Sequence, residues 1–439
     1  MKYTTGTKTP LFGKKNPSGV FWALPFLSGS RLGFVIGLGL LMMLLCPAYS
    51  AEISVPNVEM ASRGWVNDGE FVFSSLLSAD ISLSGGNRYT FLLGLSMDTP
   101  DIAKAFAYRN FNFGYTYADP VTGAEYNRLV DDINDKLNNQ AYIGFRIAKA
   151  TIRDLFGAPL EFSYFVGKDD DFCSSDYFST RFNLSPFGSE FKGFFYFPEG
   201  IGGIPTRRYD GIYGVSGTGI SLGLTKFKNF IPIIYLYQDF GSYAHMPSEI
   251  DGMVYSGDLR LLFNYNWLRL ESFGGLSFNT DLDLCFRGGI MAHFDAGRGV
   301  DFFAQGGVPG FAMGEKFSID NLFFLIEPRL HMGLFGMEVT FFYHPVVYNH
   351  LVTPDERGKA NLNLKFLMGK RESGLSGGIE FGTLLKINGI TEDFVLTISP
   401  LVYFVSNGVR WDAKIRVKPL EMQNPENVVD FFIGCRTAY

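Results

Sequence analysis

The feature that most limits what this chain can become is a two-residue period. From Val409 to Lys418 the residue types alternate without a break. Val409, Trp411, Ala413, Ile415 and Val417 fall on one side, and Arg410, Asp412, Lys414, Arg416 and Lys418 on the other. Successive side chains of an extended strand point to opposite faces, so the segment reads as a strand with one apolar and one charged face. The pattern recurs. Tyr89, Phe91, Leu93, Leu95 and Met97 oppose Thr90, Gly94, Ser96 and Asp98. Leu259, Leu261, Phe263, Tyr265 and Trp267 oppose Asp258, Arg260, Asn264 and Asn266. Phe324, Ile326, Leu330, Met332 and Leu334 oppose Glu327, Arg329 and His331. Met337, Val339, Phe341 and Tyr343 oppose Glu338, Thr340 and His344, and Leu362, Leu364, Phe366 and Met368 oppose Asn361, Asn363 and Lys365.

Seventeen such segments lie between Glu70 and Tyr439. Many run to ten residues or more, whereas strands of water-soluble domains average ~5–6 and strands that cross a bilayer need ~9–11. An open sheet in lipid leaves unpaired backbone groups at its edges, and closure into a barrel removes them. The fold expected is therefore all-β: one transmembrane antiparallel β-barrel of 16–18 strands, apolar outside and polar within.

The connections support this reading. Tight turns are expected after odd-numbered segments, at Ser84-Gly85-Gly86-Asn87, Phe335-Gly336 and Ser406-Asn407-Gly408, where Gly and Asn supply positive φ. Long connections fall mostly after even ones, at 99–139, 168–210, 241–252, 309–320, 345–360 and 419–427. Short turns at one end and long loops at the other are the rule for such barrels. Parity then requires one more strand. It belongs in 52–66, where Pro56 interrupts the alternation, and the total becomes eighteen; sixteen follows if segments have been split.

Residues 1–50 read as an address. They carry Lys2, Lys8, Lys14, Lys15 and Arg31 and no acidic residue. An apolar run, Leu32 to Leu45, follows, then Pro47, Ala48, Tyr49 and Ser50. The run is too short to span a bilayer, and the pattern is that of a secretory signal cleaved before Ala51. The organisation expected is a signal peptide over 1–50, an N-terminal segment with the first strand over 51–69, and a barrel over 70–439. The remaining cysteines, Cys173, Cys285 and Cys435, are odd in number, which argues against a disulfide framework.

Composition excludes other classes. Hydrophobic residues make up 46% and charged ones 19%, too apolar for a disordered chain. Net charge is −6, with no basic stripe, so no nucleic-acid partner is expected.

The last strand carries a resemblance. Phe431, Ile433, Cys435, Thr437 and Tyr439 share one face, and Phe432, Gly434, Arg436 and Ala438 the other. This resembles the closing strand of bacterial outer-membrane β-barrel proteins, in which an aromatic terminal residue preceded by alternate apolar residues is read by the barrel-assembly machinery. Phe431, Ile433 and Tyr439 would be that signal. The class more often ends in Phe, and Thr437 departs from the apolar pattern. With 45 Phe and 51 Gly, the composition also looks like that of spirochaete outer-membrane barrels. The resemblance implies an outer-membrane location with lipid and the assembly machinery as partners. It singles out no porin, transporter or enzyme family.

Chemistry offers less. The histidines, His245, His293, His331, His344 and His350, show no zinc-ligand spacing. His331 and His344 would face the lumen from adjacent strands beside Glu327, Arg329 and Glu338, either as a metal or proton site or, more simply, as a hydrated patch. No serine-nucleophile or phosphate-loop pattern appears. No enzyme activity, cofactor or metal is expected.

Three features remain. Arg410, Lys414, Arg416 and Lys418 form a positive ladder suited to steering anions. Glu327, Glu338, Glu380 and Asp412 would oppose it across the lumen, unless both signs merely pair along the wall. Phe191, Phe194, Phe195, Tyr196 and Phe197 would plug the lumen, dip into lipid or form a further strand pair. Asp169-Asp170-Asp171 and Asp131, Asp132 and Asp135 would be solvated loops or weak calcium sites, and 124–139 a short helix. The function expected is a porin-like channel for small solutes, filtered by lumen side chains and inward-folded loops. The alternative is a plugged barrel serving as a surface adhesin or receptor, or as a transporter of hydrophobic substrates.

Overall fold

The computed structural model describes residues 51–67, 69–99, 142–189, 211–239, 253–280, 283–314, 316–344, 359–369, 374–386, 395–423 and 428–437. Eighteen strands follow in chain order. They are β1 (Ala51–Asn67), β2 (Glu70–Gly85), β3 (Tyr89–Thr99), β4 (Tyr142–Arg153), β5 (Leu160–Phe172), β6 (Tyr213–Leu224), β7 (Phe230–Asp239), β8 (Val254–Asn264) and β9 (Leu268–Phe278). Then come β10 (Leu284–Gly297), β11 (Val300–Ala312), β12 (Phe323–Met332), β13 (Phe335–His344), β14 (Lys359–Gly369), β15 (Gly374–Lys386), β16 (Val395–Ser406), β17 (Val409–Val417) and β18 (Val429–Thr437). Among the described residues, one short α-helix, α1 (Asp176–Phe182), interrupts the strand succession.

Each strand pairs antiparallel with the next, and β18 returns to β1 in the register Glu59 opposite Arg436 through Gly64 opposite Phe431. The sheet closes on itself, so over Glu59–Gly64 and Phe431–Arg436 the terminal strands pair rather than present open edges. Of the two strand totals allowed by the pattern, eighteen is correct. The extra strand is β1, the segment containing Pro56. The β1–β2 register breaks between Ser54 and Asn57, and a residue without an N–H is tolerated at such an irregularity.

Some boundaries differ from the pattern. The β12–β13 turn is Gly333-Leu334, two residues before the expected Phe335-Gly336, and Gly333 has φ 62°. Tyr265 and Trp267 belong to the β8–β9 turn rather than to a strand. The β5 strand runs to Phe172 and β11 to Ala312, so both following connections begin later than expected. The β16–β17 turn matches: Asn407 (φ 52°) and Gly408 (φ 74°) are both left-handed, as a two-residue hairpin needs. Residues 1–50, the 124–139 segment, the 191–197 aromatics and Tyr439 lie outside the described residues.

The two faces of the wall differ as lipid and lumen do. Leu259, Ile290, Phe302, Phe324, Phe341, Leu362, Phe404, Trp411 and Ile415 are exposed on the outside. So much apolar area would be a liability in water and is what a hydrocarbon environment requires. Aromatic pairs mark both ends: Trp267 with Phe294 (5.8 Å) at the short-turn end, and Phe431 between Phe71 (5.6 Å) and Phe73 (5.9 Å) at the other. Aromatic girdles of this kind sit at membrane–water interfaces. The inward residues are mostly polar or charged from β14 round to β3. From β5 to β13 many are large and apolar, which the two-residue pattern does not explain by itself.

Candidate lumen site

The apolar inner wall has a partner. After Phe172 the chain leaves the sheet and turns inward through Ser174 and Ser175, both buried. It then forms α1 and runs on to Ser189. Helix α1 stops at Asn183, whose left-handed backbone (φ 52°) closes the last turn, with the Leu184 N–H donating to the Ser179 carbonyl at 2.8 Å. Phe178 is fully buried, tilted on Phe182 (4.8 Å) and edge-on to Phe187 (5.5 Å). These rings join one cluster with Phe172, Ile233, Tyr235, Leu262, Phe273, Met291, Phe303, Phe323, Leu325 and Phe342 from the inner faces of β5 to β13. The segment 173–189 therefore lies inside the barrel against one arc of its wall. Truncating a buried Phe in such a cluster costs about 3–5 kcal/mol.

Polar anchors hold both ends. At the start, the Cys173 N–H donates to Glu271 Oε1 at 2.5 Å, and Gln305 donates to the Cys173 carbonyl. Glu271 also pairs with Arg260 at 2.8 Å, and Arg260 bonds to Asp170 while its guanidinium lies over the Tyr177 ring at 4.2 Å. Burial, and then the Glu271 carboxylate, push the Cys173 thiol well up. Burial likewise pushes the Tyr177 phenol up to about 12. Both groups stay neutral at physiological pH.

At the far end, Arg329 donates to the carbonyls of Phe187 and Gly188, each at 2.8 Å. The Ser189 hydroxyl donates to Glu327 Oε2 at 2.5 Å, Thr340 donates to the same oxygen at 2.7 Å, and Arg329 Nε reaches Glu327 Oε1 at 2.7 Å. On the helix itself, Arg181 reaches Glu161 at 2.8 Å, a carboxylate shared with Arg153 at 3.1 Å.

The predicted lumen residues fall into two groups. Glu327 and Arg329 are the far anchor. Arg410, Asp412, Lys414 and Arg416 face inward from β17, and Glu338 and Glu380 from β13 and β15. The expected field between facing walls is not formed. Lys414 pairs with Glu380 at 2.7 Å, Lys365 with Glu338 at 3.6 Å, Arg410 with Asp412 at 2.7 Å and Arg63 with Asp430 at 3.1 Å, all along the same wall. Charges on neighbouring strands are closer than charges across the lumen, so local pairing wins. Lys418 lies past β17 and meets Glu421 at 3.8 Å.

His331 and His344 are on adjacent strands but not together. His331 is opposite Gly336, whereas His344 ends β13 opposite Lys359. His331 instead approaches Asp301 (3.6 Å), as does His293 (3.2 Å). The Asp169–Asp171 triplet is strand rather than loop, and cations occupy its carboxylates: Lys149 on Asp169 (2.8 Å), Arg260 on Asp170 and Lys168 on Asp171 (2.9 Å). That arrangement replaces the calcium reading. Gly217 and Gly219 pack a strand closely, since a Cβ on either would strike the β7 backbone. Phe431 and Ile433 face outward.

Sequence reasoning missed the anchors Arg260, Glu271 and Gln305. It also missed a second network, in which Arg287 grips Asp258 (2.6 Å), Tyr237 bonds Asp258 (2.9 Å) and Tyr213 bonds Asp239 (3.0 Å). The polar parity of Asp258 and Arg260 was the available signal.

No protein-family model and no curated protein matches the chain. Among solved structures it is similar to the Salmonella typhi OmpF complex with daunomycin, at 11% identity over 89% of this chain and 98% of that one (TM-score 0.42). It is also similar to Pseudomonas aeruginosa OccD3, at 8% identity over 89% and 93% (TM-score 0.45), and to a mutant Rh. blastica porin, at 9% over 88% and 100% (TM-score 0.36).

Proposed function

We propose that this protein is an outer-membrane channel for small polar solutes, narrowed by the inward segment 173–189. The observation that carries the reading is the division of the inner wall. The β5–β13 arc carries the apolar cluster with its buried polar anchors and is covered by the segment, while the β14–β3 arc carries charged pairs and small residues. A barrel of about this size without an insert leaves an aqueous channel. An insert fastened along one arc leaves the polar arc as the route, and selection is then by size and by the ring of paired charges. The polar arc supplies paired charges along the wall, which suits passage of polar solutes.

The inward segment also favours a second reading. If it fills the whole cross-section, the barrel is closed and acts through its outer loops as a receptor or adhesin. Swelling of proteoliposomes in sugars of increasing size separates the two. The channel reading expects swelling that falls sharply with solute size. Vesicles that never swell, with the barrel demonstrably folded in them, would favour the closed reading.

A further inference from the structure

Where the covered arc gives way to the polar one, the inner wall holds hydrogen-bonding groups that it does not itself satisfy. Asn361 and Asn363 project inward from β14, two residues apart and so about 7 Å from each other. Asn363 is 4% exposed, and no described residue donates to its Oδ1. The Oδ1 of Asn361 is likewise buried and without a donor among the described residues. An acceptor left so costs about 1–3 kcal/mol until a water or a solute supplies the bond. The register sets Gly382 of β15 beside Asn363, and Thr397 of β16 beside Gly382. Gly382 gives the wall no side chain there. The point that a Cβ would occupy lies 4.0 Å from Asn363 Oδ1 and 2.6 Å from Thr397 Oγ1, so both polar ends turn toward this bare stretch of backbone. In the next row, toward the short-turn end, Ser399 is fully buried and its hydroxyl also lacks a partner among the described residues.

We infer that this patch is a binding site for a neutral, polyhydroxylated solute of the size of a mono- or disaccharide, centred on Asn361, Asn363 and the bare backbone at Gly382. The charges beside it are already committed: Lys365 pairs with Glu338 at 3.6 Å and Lys414 with Glu380 at 2.7 Å. Thr340, opposite Asn363 on β13, gives its hydroxyl to Glu327. A charged solute gains a counter-ion here only by breaking one of these pairs, and a neutral one has no such cost. The unsatisfied groups are amide carbonyls, which only accept, and a hydroxyl, which donates and accepts. An alcohol donates to the first kind and serves the second either way, whereas an ether oxygen cannot donate. Two asparagines about 7 Å apart suit hydroxyls on opposite sides of one sugar ring.

The inference rests on the channel reading only for how a solute reaches the wall, and binding is measured without conduction. Detergent-folded protein is titrated calorimetrically with maltose, glucose and mannitol, and with diethylene glycol dimethyl ether, which has ether oxygens and no O–H. Saturable binding of at least one polyol, and none of the ether, is expected. Asn363→Leu removes one hydrogen bond and should weaken binding roughly 3–10-fold. Asn361→Leu should act in the same direction, which keeps the site testable if one variant does not fold. No saturable polyol binding to the folded, unaltered protein would overturn the site and leave water as the donor to these oxygens. So would equal binding of the ether, or polyol binding that neither variant weakens. Conductance of the same preparation separates the two readings: a conducting barrel that binds no polyol loses the site alone, and a silent one that binds loses the channel alone.

Discussion

Arg260 and Glu271 face each other at 2.8 Å from the inner faces of β8 and β9, and solvent reaches neither side chain. Two buried charges justify their loss of hydration only when paired, and without Glu271 the buried Arg260 keeps Asp170 alone. Glu271 also receives the Cys173 N–H, so the pair joins wall to inward segment. Glu271→Leu is expected to destabilise the folded barrel by roughly 3–5 kcal/mol. The temperature at which the compact band converts to the unfolded one on a semi-native gel measures this. An unchanged temperature would mean that the pair carries little.

Cys173 reports on the same region. Its thiol is fully buried and burial raises its pKa, so almost no thiolate is present at pH 7.5. A water-soluble maleimide should leave Cys173 and Cys285 unmodified in the folded protein and label both after denaturation. Labelling of Cys173 at the rate of a free thiol in the folded barrel would contradict the packing of the segment.

Arg329→Met removes two hydrogen bonds to the carbonyls of Phe187 and Gly188. Bonds from a charged donor contribute about 1.5–3 kcal/mol each. The 184–189 amides should exchange faster while those of β12 stay protected. Loss of protection in both would indicate collapse of the wall instead.

Legibility followed the physics of each face. The outer face must be apolar everywhere, so the two-residue pattern revealed the seventeen strands after β1 and most turns, while β1 came from loop parity. The inner face has two jobs. Where it meets water, as at Arg410 and Asp412, polarity alternates cleanly and the pattern reads well. Where it meets the inward segment, as at Phe323–Phe324 or Leu325–Ile326, both faces are apolar and parity alone cannot tell lumen from lipid. The segment itself was invisible because α1 spans only seven residues and gives almost no period. The wider loop drew attention to the Phe194–Phe197 run. The charge pairs were unreadable for another reason: strand register, not composition, decides that Lys414 meets Glu380.

In the proposed channel, those pairs would bear on ion selectivity. Lys414→Gln removes a positive charge from the polar arc and leaves Glu380 without this partner. The channel should shift toward cations, read as a change in reversal potential under a salt gradient. An unchanged reversal potential would place these residues away from the route.

The lipid-facing assignment has its own test. Ile290 is exposed on the outside of β10. On a water-facing surface Ile290→Arg would be nearly neutral, whereas near the midplane of a bilayer it costs about 2–4 kcal/mol. Folding yield into lipid vesicles should fall accordingly. Full yield would argue that this face does not meet lipid.

A closed barrel with one covered arc should still conduct. Single-channel recording in a planar bilayer is expected to show discrete, uniform conductance steps that are larger in Arg329→Met, where the segment is released. A folded, inserted protein that stays silent, both unaltered and with Arg329→Met, would contradict it.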